Sequence, residues 1–257
     1  MQLIDTHCHL YAPPMSQDTR RVLSSAAAAG VGFVVVPGVD PESSRRAVLL
    51  SREYAGTVVA AAGVHPQAEL YGTDDGALSE IAVIARSGAV AAIGEIGLDA
   101  EKGPTMDIQE RRFACQLELA QGLGLPVLVH CRGAFARLLA IVRSTGFSRG
   151  GIMHSWSGSA QSFALLSDAG FYAGVSGVAS RAAASRVRSV VAAIPMDRLV
   201  LETDAPYIGT GSTPRGLTDP SSVAEVCMAV ASLKGVSFGT VAGATTANAR
   251  AALGLAA

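Results

Sequence analysis

The stretch Asp5-Thr6-His7-Cys8-His9 constrains this chain more than any other. It follows the short apolar start Gln2-Leu3-Ile4. In an extended strand residues two apart point the same way, so His7 and His9 project from one face and Cys8 from the other. Two imidazoles one strand step apart can grip a single cation, although a lone pair of this kind is commonly just a pair of surface or core histidines. The other histidines change that balance. His65 ends the run Val58 to Val64, His130 ends Val127-Leu128-Val129, and His154 ends Gly151-Ile152-Met153. All five histidines therefore stand where an apolar run stops.

Apolar runs of strand length alternate with longer helical periods along the whole chain. The strands expected are Leu3 to His7, Val31 to Val36, Val58 to Val64, Val90 to Ile96, a run from Pro126 to His130, Gly151 to His154, Phe171 to Ser176, and one opening at Leu199-Val200-Leu201. Helices are expected from Asp18 to Ala29, Glu42 to Tyr54, Asp75 to Arg86, Asp107 to Gly122, Arg132 to Thr145, Ala160 to Ala169 and Ala182 to Ala193, with two more in the tail. Asp18 and Asp40 are the capping residues, Pro41 suits a first turn, and Gly30 is a stop signal. Eight strands, apolar on both faces and alternating with helices, imply an α/β fold with a parallel sheet closed on itself, the (β/α)8 TIM barrel. The length of 257 residues and the 49% hydrophobic content suit one such domain over residues 1–257. An open doubly wound sheet is the competing arrangement, but no glycine-rich dinucleotide fingerprint opens the first strand-to-helix turn.

A net charge of -1 advertises no global basic field. Arg132, Arg181, Arg186, Arg188 and Arg215 fall near expected loops, and a local basic patch stays open. Cys8, Cys115, Cys131 and Cys227 show neither a CxxC nor a zinc-ribbon spacing, which fits a reducing, cytoplasmic setting. No basic region followed by an apolar core opens the chain, and arginines and serines interrupt the alanine-rich stretches before a membrane span accumulates. A soluble monomer with no membrane partner is the expectation.

In a barrel of this kind the functional site lies at the C-terminal strand ends. That brings His7, His9, His65, Glu95, His130, His154 and Asp204 to one mouth. Four histidines and two carboxylates exceed one tetrahedral ion and suit two divalent cations. A carboxylate can bridge two ions, which leaves Glu95 or Asp204 for that role; Glu95, flanked by the small Gly94 and Gly97, is favoured. Glu202, two residues before Asp204, can orient a ligating histidine or be a plain buried acid, and Asp5 stands in the same relation to His7. Cys8 and Cys131 alternate away from the site toward the helix layer. Trp156 either stacks a base or caps the barrel mouth.

The motifs DTHCH, GVHP, IGEIGLD, PVLVHCRGA, MHSWSG and LETDAPY, in this order, resemble the TatD family of metal-dependent deoxyribonucleases among the amidohydrolase-like barrels. The resemblance spans nearly the whole chain. It implies that His7, His9, Glu95 and Asp204 hold one cation and that Glu95, His130 and His154 hold the second, with magnesium or manganese in function and zinc possible as bound. It implies further that His65 faces the substrate phosphate, that Asp204 handles the proton of the attacking water, and that the reaction is phosphodiester hydrolysis of DNA, ahead of RNA, from a 3′ end. Arg132 and Arg215 are the candidate contacts to such a substrate. In the run Pro214 to Pro220, Asp219 stands near a position where the family usually has asparagine, and Lys102 is the one helpful charge after Asp99. Two other functions compete: hydrolysis of amides, lactones or phosphotriesters at the same site, and a metal-binding barrel without catalysis. Many barrels of the first kind bridge their metals with a carbamylated lysine where this chain has Glu95.

Overall fold

The computed structural model describes residues 2–70 and 73–255. Eight strands form one sheet in chain order, every neighbouring pair parallel. They are β1 (Leu3–Asp5), β2 (Val31–Pro37), β3 (Val58–Ala62), β4 (Ala92–Asp99), β5 (Val127–Arg132), β6 (Gly151–Met153), β7 (Phe171–Val175) and β8 (Leu199–Leu201). Helices α1 (Thr19–Ala28), α2 (Pro41–Glu53), α3 (Asp74–Arg86), α4 (Met106–Leu123), α5 (Phe135–Ser144), α6 (Ala160–Ser167) and α7 (Ser185–Ala193) connect them, and α8 (Val223–Lys234) and α9 (Phe238–Leu253) follow β8. The last strand meets the first beyond their formal ends. Thr6 N donates to Leu201 O at 3.0 Å, Asp204 N to His7 O at 2.8 Å, and His9 N to Ala205 O at 2.9 Å. The sheet is thereby nearly closed into the expected barrel.

Local chemistry explains why the helices start where they do. Asp18 accepts from Arg21 N, and Asp40 accepts from Ser43 N at 2.7 Å while the Ser43 hydroxyl accepts from Asp40 N at 3.0 Å, a reciprocal cap with Pro41 in the first turn. Caps of this kind stabilise a helix by about 1 kcal/mol each. Of the expected boundaries that moved, three shifts have a visible cause. β4 runs on to Asp99 because Gly97, Leu98 and Asp99 continue to pair with His130, Cys131 and Arg132. That pairing keeps Arg132 in β5, so α5 begins only at Phe135. A short 3-10 turn over Gly177–Ser180 delays α7 to Ser185.

Two apolar layers separate the inside of the barrel from its outside. The outer layer fills the space between sheet and helices, with Phe113, Leu117, Phe163 and Phe171 among its fully buried members. The inner layer is smaller: Ile4, Val35, Ala61, Ala92, Leu128, Ile152 and Val200 meet inside the barrel, and Ala249, Ala252 and Leu253 of α9 close it from below. Burying the Leu253 side chain there stabilises the fold by about 2 kcal/mol. Among the described residues no single helix is long and apolar enough to cross a membrane.

The inner layer sets the position of the site by simple alternation. Two residues beyond Leu128, Ile152 and Val200 come His130, His154 and Glu202, which therefore face inward one level above the apolar plug. β4 needs a further device, because Ile93 pairs with Val127 and Ile96 with Val129, so three steps on β4 match two on β5. The extra residue leaves Ile93 and Ile96 in the outer layer and turns Glu95 inward between them. Gly97 allows the two strands to approach: its φ is 138°, and a Cβ there would stand 1.9 Å from the His130 carbonyl oxygen. Gly97→Ala is expected to destabilise the protein by on the order of 3 kcal/mol, read as a shift in the denaturant midpoint, whereas Gly88→Ala, whose Cβ meets nothing within 4 Å, costs only its backbone strain.

Candidate metal centre

The seven candidate side chains converge at the C-terminal mouth of the barrel. His7 Nε2 lies 3.2 Å from His9 Nε2 and 3.2 Å from Glu95 Oε2, and His9 Nε2 lies 3.3 Å from Asp204 Oδ1. On the other side, Glu95 Oε1 lies 3.3 Å from His130 Nδ1 and 3.4 Å from His65 Nε2. His154 Nε2 stands 3.5 Å from Asp204 Oδ2, its ring stacked on that of His7 at 3.8 Å between centroids. Ions that hold nitrogen and oxygen at about 2.0–2.2 Å set neighbouring ligands roughly 3 Å apart. The spacing of these atoms fits that requirement. The two oxygens of Glu95 address separate nitrogen pairs, one on each side.

The hydrogen bonds behind the rings fix which nitrogen is free. Tyr11 Oη donates to Pro37 O at 2.9 Å, so His9 Nδ1, 2.8 Å from that hydroxyl, is the donor and Nε2 keeps its lone pair toward the centre. His130 Nε2 donates to Asp99 Oδ2 at 2.9 Å, which leaves Nδ1 free to face Glu95. His154 Nδ1 stands 2.8 Å from Glu202 Oε1 at ion-pair distance, and its Nε2 points to Asp204. His65 is the opposite case. Gln67 N donates to its Nδ1 at 3.0 Å, so its inward Nε2 carries the proton. His9 and His130 thus offer an acceptor to a cation while His65 offers a donor, and a hydrogen-bonded group behind the ring is what orients such ligands.

Burial opposes charge on every carboxyl here, and neighbours decide the outcome. Glu95 is buried, yet the imidazoles of His65 and His7 hold its carboxyl well below the usual range. Asp204 is likewise held below its ordinary value against burial, chiefly by His154. Burial also disfavours charge on His154, but Glu202 and Asp204 overcome it and raise its pKa well above that of free imidazole. His7 goes the other way, lowered by burial and then by His154. The centre therefore presents ionised carboxylates, the state a divalent cation needs.

Around the centre opens a cleft of about 760 Å³, bordered by Gln67, Lys102, Arg132, Tyr207 and Arg215 among others. Arg132 reaches it but pairs with Glu101 at 2.7 Å. Arg215 is exposed there with no ion pair among the described residues. Trp156 does not reach it. The indole is only 7% exposed, wedged between Phe135 and Phe163 with Nε1 donating to Ser159 O, so it packs under the mouth and offers no stacking surface. Of the two roles open to Asp5, the structure shows the buried acid. Its carboxylate touches no imidazole; it accepts from His7 N at 3.2 Å, Thr203 N at 2.9 Å and Thr203 Oγ1 at 2.6 Å, joining the ends of β1 and β8, and burial pushes its pKa up to about 8. Asp219 is turned away into a cap, accepting from Ser221 N at 2.9 Å. Cys8 packs in the outer layer and burial raises its thiol well above normal; Cys131 packs against the same layer, its thiol pushed to about 11.

Asp99, Gln67 and Tyr11 are the functional positions that the residue pattern did not reveal. Asp99 also accepts from Gln67 Nε2 at 2.6 Å and from the backbone of Glu101 and Lys102, which locks the carboxylate that orients His130. Its signal was an acid four residues after Glu95 at the end of the same apolar strand.

An eight-stranded parallel barrel with five imidazoles and two carboxylates gathered at its mouth is the architecture of a metal-dependent hydrolase. The model of the TatD related DNase family matches residues 4–254, and the chain belongs to that family. Among its relatives is the uncharacterized metal-dependent hydrolase YabD of Bacillus subtilis, 35% identical over 251 residues that cover 96% of this chain and 97% of the relative. The 3'-5' ssDNA/RNA exonuclease TatD of Edwardsiella piscicida is 33% identical over 210 residues, 80% of each chain. The crystal structure of the TatD homologue YjjV of Escherichia coli superposes with a TM-score of 0.93 at 32% identity, covering 99% of this chain and 98% of that one.

The tautomer pattern generates a test. Asp99→Asn and Glu202→Gln are each expected to weaken Mn2+ binding about 10- to 100-fold in calorimetric titration, whereas His65→Ala, which removes a donor and no lone pair, leaves it within about threefold of the wild type.

Proposed function

We propose that the protein is a two-metal phosphodiesterase that degrades single-stranded nucleic acid, DNA ahead of RNA, from the 3′ end. The observation that carries the reading is the Glu95 carboxylate, with Oε2 toward His7 and His9 and Oε1 toward His130. That is the disposition of a ligand shared by two cations. In this reading His7, His9, Glu95 and Asp204 hold one ion, and Glu95, His130 and His154 hold the other. Two divalent cations, magnesium or manganese, supply acidified water and neutralise charge on the phosphate when bound.

The chain's own groups do the rest. His65 Nε2–H donates to a non-bridging phosphate oxygen and holds the phosphorus beside Glu95. Asp204 Oδ2, on the side away from His9, receives the proton of the attacking water; the new P–O bond forms as the P–O bond to the leaving nucleotide breaks, and the proton passes to the departing oxygen. Arg215 and Lys102 at the rim attract the polyanionic strand. Arg132 contributes less, its charge being engaged by Glu101. The name of the Edwardsiella relative supports the single-stranded substrate and the polarity. The four free thiols support a cytoplasmic setting.

Metal-loaded protein incubated with single-stranded DNA, RNA, a chromogenic phosphodiester and a panel of lactones and amides tests the reading. Turnover of DNA is expected, falling more than about 100-fold in Glu95→Gln; turnover confined to the lactone or amide panel transfers the site to another substrate, and silence throughout points to a non-catalytic barrel. Arg215→Ala is expected to weaken DNA binding and to flatten the slope of log affinity against log salt by roughly one. An unchanged slope removes Arg215 from the strand path.

A further inference from the structure

Tyr207 lies half open in the cleft, 46% exposed, and is the one aromatic residue besides histidine that lines it among the described residues. An aromatic face left open beside a phosphate-binding centre is a surface on which a base can stack. Its backbone is fixed to the chemistry: Tyr207 N donates to Asp204 O at 2.7 Å, one tight turn beyond that carboxylate. The ring stands against His9, 5.0 Å between centroids and inclined at 67°, so it is braced on one side and free on the other. Its hydroxyl makes no hydrogen bond with a described residue, which leaves the ring itself as what the side chain offers. Gly216 N donates to Pro206 O at 2.8 Å, tying the segment that carries Arg215 to the same turn.

We infer that Tyr207 is the stacking platform for the base of the nucleotide whose phosphate lies at the candidate centre, with Arg215 holding the adjoining backbone. The inference rests on the phosphodiesterase reading. It assigns to Tyr207 the role that Trp156, packed between Phe135 and Phe163, cannot fill. The ring selects for an unpaired base, because a face that is stacked and paired within a duplex is not available to it. It tolerates any of the bases, since each presents a flat π surface.

Two oligonucleotides of equal length and charge test this, one with a normal terminal nucleotide and one whose terminal nucleotide lacks its base. Binding is read by fluorescence anisotropy with Ca2+ and cleavage with Mn2+. The wild type is expected to prefer the base-bearing end by about tenfold, in KM more than in kcat. Tyr207→Ala and Tyr207→Leu are expected to abolish the preference by weakening only the base-bearing ligand, and Tyr207→Phe and Tyr207→Trp to retain it. Equal loss on both ligands, together with weaker Mn2+ binding, identifies a brace for His9 and overturns the inference, as does a wild type indifferent to the base. Active protein indifferent to the base leaves the phosphodiesterase reading standing; protein that binds the base-bearing end with preference yet cleaves neither ligand keeps the platform and ends that reading.

Discussion

A buried carboxylate at the hub of four imidazoles is the contact on which the rest of this structure depends. Glu95 stands between the His7–His9 pair and the His65–His130 pair, and its charge is retained against burial only because those rings surround it. Removing one partner of such a buried arrangement leaves the others unbalanced, which is far costlier than losing an exposed pair. The extra residue in β4 that turns Glu95 inward is thus the geometric condition for the whole centre. A regular strand would place Glu95 among the helices.

The remaining parts of the site are held by groups that never face the cleft. Asp5 joins the strand bearing His7 and His9 to the one bearing Asp204, through three hydrogen bonds to Thr203 and the His7 amide. Asp99, itself clamped by Gln67 and two amides, fixes the His130 ring, and Tyr11 does the same for His9 against Pro37. Rings held from behind have little freedom left to lose when they close on an ion, which is the physical content of preorganisation.

Much of this was legible in the residues. The shared face of His7 and His9 follows from strand alternation, as does the inward aim of His130, His154 and Glu202 once Leu128, Ile152 and Val200 are read as core. What lay hidden depends on pairing between distant segments. Nothing in Ile93 to Leu98 alone reveals the extra residue against Val127 and Val129, and the strand's extension to Asp99 required the partner β5. Asp99 therefore looked like the start of a loop. Trp156 follows a ligand in a motif that reads as an open loop, but Phe135 and Phe163, from two different helices, draw its ring inside. Asp5 has the same spacing to His7 as His7 has to His9, and only the approach of Thr203 diverts its carboxylate to backbone amides.

The packing of α9 beneath the barrel has a consequence for traffic. Ala249, Ala252 and Leu253 fill the lower end, and among the described residues the centre opens through the cleft at the upper rim. On the proposed reading, a cut product leaves past the same rim by which the next chain end arrives. On that reading departure and arrival compete for one passage, and the fragment must clear before the strand can advance.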